Sequence, residues 1–207
     1  MIPRRFFVSL VAALLLSLGA LGCGGSGSPT APSATTVVAL GDSITFGFGT
    51  TNNNDYVSRL ASRTGNSIIN AGRIGDTTGD ALNRLDSAVL SRNPDIVIVF
   101  LGGNDVLQNV PVQTRVTNIT TIVQRIRQDG AAVILVDLGS GVLDAFNGAL
   151  PGIASQTSST LVPGVLEGVF GVPGLMSDAI HPNDAGHAII ADRIEPALRA
   201  ALSAAGS

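Results

Sequence analysis

Both histidines of the chain lie in the stretch "MSDAIHPNDAGH", from Met176 to His187, and Asp178 stands three residues before His181. In a turn, that spacing lets a carboxylate accept from one imidazole nitrogen and aim the other, which makes the imidazole a directed general base. A base needs an acid to deprotonate. A serine hydroxyl is a weak nucleophile at neutral pH unless such a base is within reach. Ser43, in "GDSITFG", is the natural candidate, because it directly follows an apolar run and Gly41 permits the sharp turn that would lift its hydroxyl clear. Ser43, His181 and Asp178 would then be nucleophile, base and orienting acid. Asp137, at the end of a later apolar run, is a rival for the acid. His187 reads as a packing residue one turn into a helix that Asn183 or Asp184 would cap. Each piece also has a plainer reading. Asp42 or Ser43 could simply cap the next helix, and His181 could be a surface-loop residue.

Attack on an acyl carbonyl also requires donors for the developing oxyanion. Two further glycine turns supply candidates: "NAGRIGD" with Gly75 and "GGND" with Asn104. The Ser43 N–H, the Gly75 N–H and the Asn104 side-chain amide would face one space if these turns lie at one end of a sheet. Asp105 is placed to cap a helix. Arg73, beside Gly75, could meet a substrate anion or form a surface ion pair.

The elements that must hold these residues are legible as alternating patterns. "TVVALG", "SIIN", "DIVIVFLGG" and "AAVILVDLG" are nearly continuous apolar runs, as expected of strands covered on both faces. Between them, residues at helical spacing form faces: Val57, Leu60, Ala61 and Thr64; Leu82, Leu85 and Val89; Val112, Val116, Ile119, Val123 and Ile126. A last helix carries Ile190, Ile194, Leu198 and Ala201, with a kink or break expected at Pro196. Such alternation argues for an α/β fold with a parallel sheet between helical layers. Ligands bind at the carboxyl ends of such strands, where the glycine turns fall. Residues 139–177 lose the rhythm; they read as a partly ordered lid or pocket wall, helical around Val142–Leu150.

Composition narrows the chemistry. The 207 residues carry 12 basic and 15 acidic groups, and every basic residue is arginine. A chain without lysine has no P-loop lysine, Ser–Lys dyad or Schiff base. A net charge of −3 without a basic run gives no footprint for nucleic acid. Two histidines among scattered carboxylates show no metal-ligand spacing, and no cofactor is implied. "GDSIT" is not a G-x-S-x-G elbow, so the ordinary α/β-hydrolase fold is not indicated.

The N-terminus reads as an export address. Arg4 and Arg5 precede the apolar "FFVSLVAALLLSLGALG", and residues 1–22 read as a signal peptide. Small residues before Cys23, the single cysteine, resemble the lipobox of bacterial lipoproteins, in which that cysteine is lipidated. The Gly/Ser/Pro-rich segment 23–35 reads as a tether, and 36–207 as the domain. This implies a membrane-anchored lipoprotein of the bacterial envelope, on its periplasmic side.

The four blocks in order, "GDS" with Ser43, "NAGRIGD" with Gly75, "GGND" with Asn104 and "DAIHP" with Asp178 and His181, resemble those of the SGNH (GDSL-type) hydrolases. "LGGND", "LEGVFGVPGLM" and "DAIHPNDAGH" are most similar to the bacterial thioesterase/lysophospholipase/arylesterase branch. The resemblance covers Thr36 to the C-terminus. It implies a three-layer α/β/α sandwich of flavodoxin-like topology and ester hydrolysis through an acyl-enzyme on Ser43, with small-molecule esters as substrates. The segment after the fourth apolar run lacks most aromatics of that branch's pocket. The wall from Leu161 to Met176 is expected to receive the acyl chain and Phe46 or Phe48 to face the entrance, with Phe46, Leu166 and Phe170 as the candidate acyl-pocket residues. Acyl transfer to an envelope sugar and a non-catalytic envelope-binding role are the competing readings.

Overall fold

The structure, a computed structural model, describes residues 35–139 and 144–206. The expected signal peptide, Cys23 and nearly all of the tether lie outside the described residues. Five parallel strands form one sheet in the order β2-β1-β3-β4-β5. They are β1 (Val37–Gly41), β2 (Ile68–Gly72), β3 (Ile96–Phe100), β4 (Ala132–Val136) and β5 (Thr160–Val162). Every residue of β1 and β3 is buried, which is why these runs are continuously apolar rather than alternating. The edge strand β2 is only partly buried and admits Asn70. This order is flavodoxin-like, and it reverses direction between β1 and β3, where a ligand crevice opens. Pairing Gly41 with both Gly72 and Phe100 brings the carboxyl ends of β2, β1 and β3 to one level.

The helices follow from the connections. Parallel strands need crossovers, and helices supply them. α1 (Ser43–Phe46) and α2 (Tyr56–Thr64) follow β1; α3 (Thr78–Asn83) and α4 (Leu85–Ala88) follow β2; α5 (Gly103–Leu107) and α6 (Val112–Gln128) follow β3. α7 (Asp144–Asn147) and α8 (Leu150–Thr157) follow β4, and α9 (Asp184–Ala205) closes the chain. α2 packs on α9 and α3 on α6, giving the outer layers of a three-layer sandwich. The fold is the expected α/β/α class.

Several local expectations change. β5 was not anticipated, because three residues in a Ser/Thr-rich setting carry no periodic signal. The helix expected at Val142–Leu150 is divided between α7 and the start of α8 in its described part. α9 does not break at Pro196 but runs through it as one helix. A mid-helix proline costs about 3 kcal/mol. Ile190, Ile194 and Leu198 are all fully buried on that helix, at about 1.5–3 kcal/mol each, so packing outweighs the lost bond. Asn183 caps α9, accepting from Ala185 N at 2.9 Å and Gly186 N at 3.1 Å. Asp184 instead accepts from Thr51 N and Thr51 Oγ1, at 2.8 and 2.6 Å. Asp105 does not cap its own helix: fully buried, it accepts from Thr78 N, at the first turn of α3, and from Thr78 Oγ1, and so ties α5 to α3.

Candidate active site

The turn from β1 into α1 sets the position of Ser43. A Cβ on Gly41 would lie 1.9 Å from Thr45 Oγ1 and 2.7 Å from the Phe100 carbonyl. One on Gly72 would lie 2.2 Å from Phe46 N. Only glycine at both positions lets α1 fold back this tightly onto the sheet ends. Asp42 is the N-cap, its Oδ1 accepting from Ile44 N at 3.0 Å. Ser43 is therefore the first helical residue, and its own N–H has no intrahelical partner. Burial pushes the Asp42 carboxyl up to about 6, against the opposing hydrogen bond from Ile44.

The loop before α9 is fixed at several points. Ser177 N donates to His181 O at 2.9 Å, Met176 bridges to Pro182, and Asn183 Nδ2 donates to Gly174 O at 3.0 Å. Within it, Asp178 Oδ1 accepts from the N–H groups of Ile180 and His181, both at 2.8 Å. Asp178 Oδ2 lies 2.7 Å from His181 Nδ1. These bonds, led by the one to the imidazole, hold the Asp178 carboxyl down at about 2, so it is a carboxylate and can only accept. Nδ1 must then carry the hydrogen, leaving Nε2 free to accept. Nε2 lies 3.1 Å from Ser43 Oγ. The structure thus joins Ser43, His181 and Asp178 in one hydrogen-bonded chain, across 138 positions of sequence.

On the opposite side of Ser43 stands a framework centred on Asp76, whose side chain is 2% exposed. Arg73 Nε and Arg84 Nε both reach it at 2.5 Å. Arg84 also donates to Ala71 O at 2.7 Å and Gly41 O at 3.2 Å, stitching the ends of β2 and β1 together. Arg73 is therefore an ion-pair partner. The Asp76 carbonyl accepts from Asn104 Nδ2 at 3.0 Å, which orients that amide. Asn104 lines the cleft beside Ser43 and His181, with one amide hydrogen left for a ligand. Gly75 adopts φ +84°, and its N–H enters none of the described hydrogen bonds. Asp76 and Arg84 escaped sequence reading, since nothing at positions 76 and 84 shows that the fold will pair them.

A cleft of about 70 Å³ opens over Ser43 and His181. Ile44, Leu138 and Leu166 are its buried apolar residues, while Leu107, Phe170 and Ile180 stand partly exposed around it. The expectation for Phe46 is corrected. It does not line the cleft but lies exposed, its backbone against Gly72 of edge strand β2, whereas the cleft opens toward β3 and β4. Phe48 instead packs on His181, the ring centroids 4.4 Å apart. Asp137 accepts from Gly139 N at 2.9 Å and is not the imidazole's partner. His187 is fully buried, its Nδ1 accepting from Tyr56 N at 3.1 Å. Among the described residues, no group of three or more His, Cys, Asp or Glu is placed to hold a metal ion.

Comparison with known proteins adds to this geometry. Residues 39–189 match the GDSL-like lipase/acylhydrolase family. The chain is 32% identical over 181 residues to esterase TesA of Pseudomonas aeruginosa, covering 82% of this chain and 90% of that one. It is 30% identical over 171 residues to thioesterase 1/protease 1/lysophospholipase L1 of Escherichia coli, covering 78% and 82%. Among solved structures, that of TesA superposes with a TM-score of 0.74 at 31% identity, covering 81% of this chain and 99% of that one. The psychrotrophic esterase EstA from Pseudoalteromonas, in a structure inhibited by monoethylphosphonate, gives 0.72 at 26% identity, covering 82% and 99%. With most of its length matching both the family and these relatives, the chain belongs to the GDSL-like lipase/acylhydrolase family, the SGNH hydrolases.

Proposed function

We propose that this SGNH esterase cleaves esters with short acyl groups through a covalent acyl-enzyme on Ser43. The observation that carries the reading is the hydrogen-bonded chain from Asp178 through His181 to Ser43 Oγ at the mouth of an apolar cleft. Ser43 Oγ attacks the ester carbonyl carbon while its proton passes to His181 Nε2. The carbonyl electrons move onto oxygen, where Ser43 N–H, Gly75 N–H and the Asn104 amide are the donors. As the intermediate collapses, the bond to the leaving oxygen breaks and His181 returns the proton to it. Water, deprotonated by the same imidazole, then releases the acid and regenerates Ser43. Thioesters follow the same steps with sulfur leaving.

The apolar part of the cleft beside Ser43 is narrow and lined by buried Ile44, Leu138 and Leu166, which favours short acyl groups over long ones. Residues 1–22 and Cys23 are proposed to export the enzyme and anchor it to the envelope membrane as a lipoprotein, on the strength of their sequence pattern.

A hydrolysis series of p-nitrophenyl esters from acetyl to palmitoyl, run with the wild type and Ser43→Ala, tests the reading. The expected result is a kcat/KM maximum at short chains and no turnover in the variant. A maximum at long chains overturns the acyl-size assignment, and turnover by Ser43→Ala overturns the nucleophile.

A further inference from the structure

Phe48 belongs to no motif of the expected triad, yet it touches two of its members, Ser43 and His181. Its backbone N–H donates to the Ser43 carbonyl at 2.9 Å, beside a bond from Gly47 N to the same oxygen at 3.1 Å. Its ring lies 4.4 Å from the His181 imidazole, at 47° to it, and the residue is 42% exposed. The turn that presents it is built for this approach. Gly47 and Gly49 flank it at φ +94° and +88°, and a Cβ on Gly49 would lie 2.2 Å from Ser177 Oγ and 2.9 Å from Pro182 O. Thr50 N and Oγ1 both close back on Gly47 O, and Thr51 is pinned by Asp184 at the start of α9. The turn is thus fastened to the nucleophile residue at one end and to the base-bearing loop at the other.

We propose that Phe48 is a positioning residue that holds the His181 imidazole on Ser43 and, through its ring face, favours the imidazolium that forms during acyl transfer. The inference rests on the acyl-transfer reading of Ser43 and His181. An aromatic face within about 6 Å of a cation attracts it by about 0.5 kcal/mol at exposed sites and about 2 kcal/mol when desolvated. The imidazolium exists only after proton transfer has begun, so the attraction lowers the barrier rather than tightening substrate binding. Among the described residues, Asp178 on its own loop pairs with His181, and Asp42 from the β1–α1 turn and His187 on α9 interact with it electrostatically. Replacing Phe48 leaves all three in place.

Phe48→Leu tests this, because leucine keeps an apolar cover and removes only the aromatic face. The expected result is kcat lower by roughly 2- to 30-fold with KM nearly unchanged. The acid limb of the kcat/KM profile should also move to lower pH by about 0.4 to 1.5 units, since the protonated imidazole has lost its partner. Phe48→Tyr and Phe48→Trp should restore both within about twofold. Loss of packing alone would admit water to the imidazole, which favours its protonated form and moves the limb the other way. An unchanged kcat, a limb that stays or moves to higher pH, or equal loss in the tyrosine and tryptophan variants overturns the proposal. NMR titration of the imidazole in Ser43→Ala, with and without Phe48→Leu, reads the same shift without turnover; no downward shift also overturns it. Activity in Ser43→Ala would instead sink the acyl-transfer reading on which it rests.

Discussion

Asp178 is more exposed than the base it orients, with side-chain accessibilities of 42% and 13%. Its work does not depend on burial. Hydrogen bonds from the imidazole and from two backbone N–H groups hold its carboxyl at about 2, so it stays ionised wherever the base can act. Asp178→Asn offers Nδ1 a side chain that can donate, which moves the imidazole proton to Nε2 and blocks acceptance from Ser43. We predict a kcat loss of about 10⁴, measured by steady-state hydrolysis with folding checked by circular dichroism. Asn104→Ala removes one oxyanion donor and should lower kcat by about 10²–10³ with a small change in KM. These residues were legible because the chemistry restricts residue type and spacing: a serine after a strand, a carboxylate three before a histidine, an amide after two glycines. Asp76 and Arg84, which hold Asn104 and the strand ends, were not. An ion pair between the loop before α3 and the turn after it leaves no local mark, since its partners meet only when the chain folds.

At the scale of elements, the short turn α1 depends on absent side chains. Gly41→Ala or Gly72→Ala puts a methyl group within 1.9 and 2.2 Å of existing atoms, and backbone on both sides limits relaxation. Overpacking of this kind costs about 1–3 kcal/mol, and at these distances the upper end is expected from urea unfolding. Reduced activity should accompany it, because the displaced element carries Ser43. α9 supplies a pH-dependent term through His187. Burial lowers its imidazole to about 4 from the ordinary 6.5. Between those values the unfolded chain binds the extra proton and the folded chain does not. Stability from this group is therefore complete above pH 6.5 and falls as pH drops toward 4, by about 3 kcal/mol in all. Asp42 acts in the opposite sense, because its raised carboxyl binds a proton more tightly when folded. Urea midpoints of wild type and His187→Asn, compared from pH 7 to pH 4, isolate the histidine. The wild type should lose the larger part of its stability in acid, and parallel curves would contradict this. The strand runs were readable as continuous apolar stretches and the main helices from their period. β5 was too short to show one, and the passage of α9 through Pro196 depends on a buried stripe that only packing reveals.

For the whole molecule, the strand order explains why residues scattered over the chain converge. Reversal between β1 and β3 opens the crevice, and the equal register of β2, β1 and β3 sets Ser43, the Asp76 framework and Asn104 around it. The layered α/β class was legible in alternation, whereas the flavodoxin-like order came from the four blocks and their resemblance to the SGNH hydrolases. The acyl wall was read only in part: Leu166 and Phe170 line the cleft while Phe46 does not, because the side of β1 on which the cleft opens is a property of the strand order. The proposed envelope anchoring belongs to this scale as well. Mass spectrometry of the mature protein should find its N-terminus at Cys23 carrying acyl chains; an unmodified Cys23 would contradict the lipoprotein assignment. The central claim is that Ser43 is a nucleophile activated by His181. Its most direct test is the intact mass of the protein after treatment with an alkyl phosphonate ester that traps activated serines. The account predicts one adduct, mapped to Ser43, absent in Ser43→Ala and strongly slowed in His181→Asn. No adduct in the wild type, or an adduct that persists in Ser43→Ala, would contradict it.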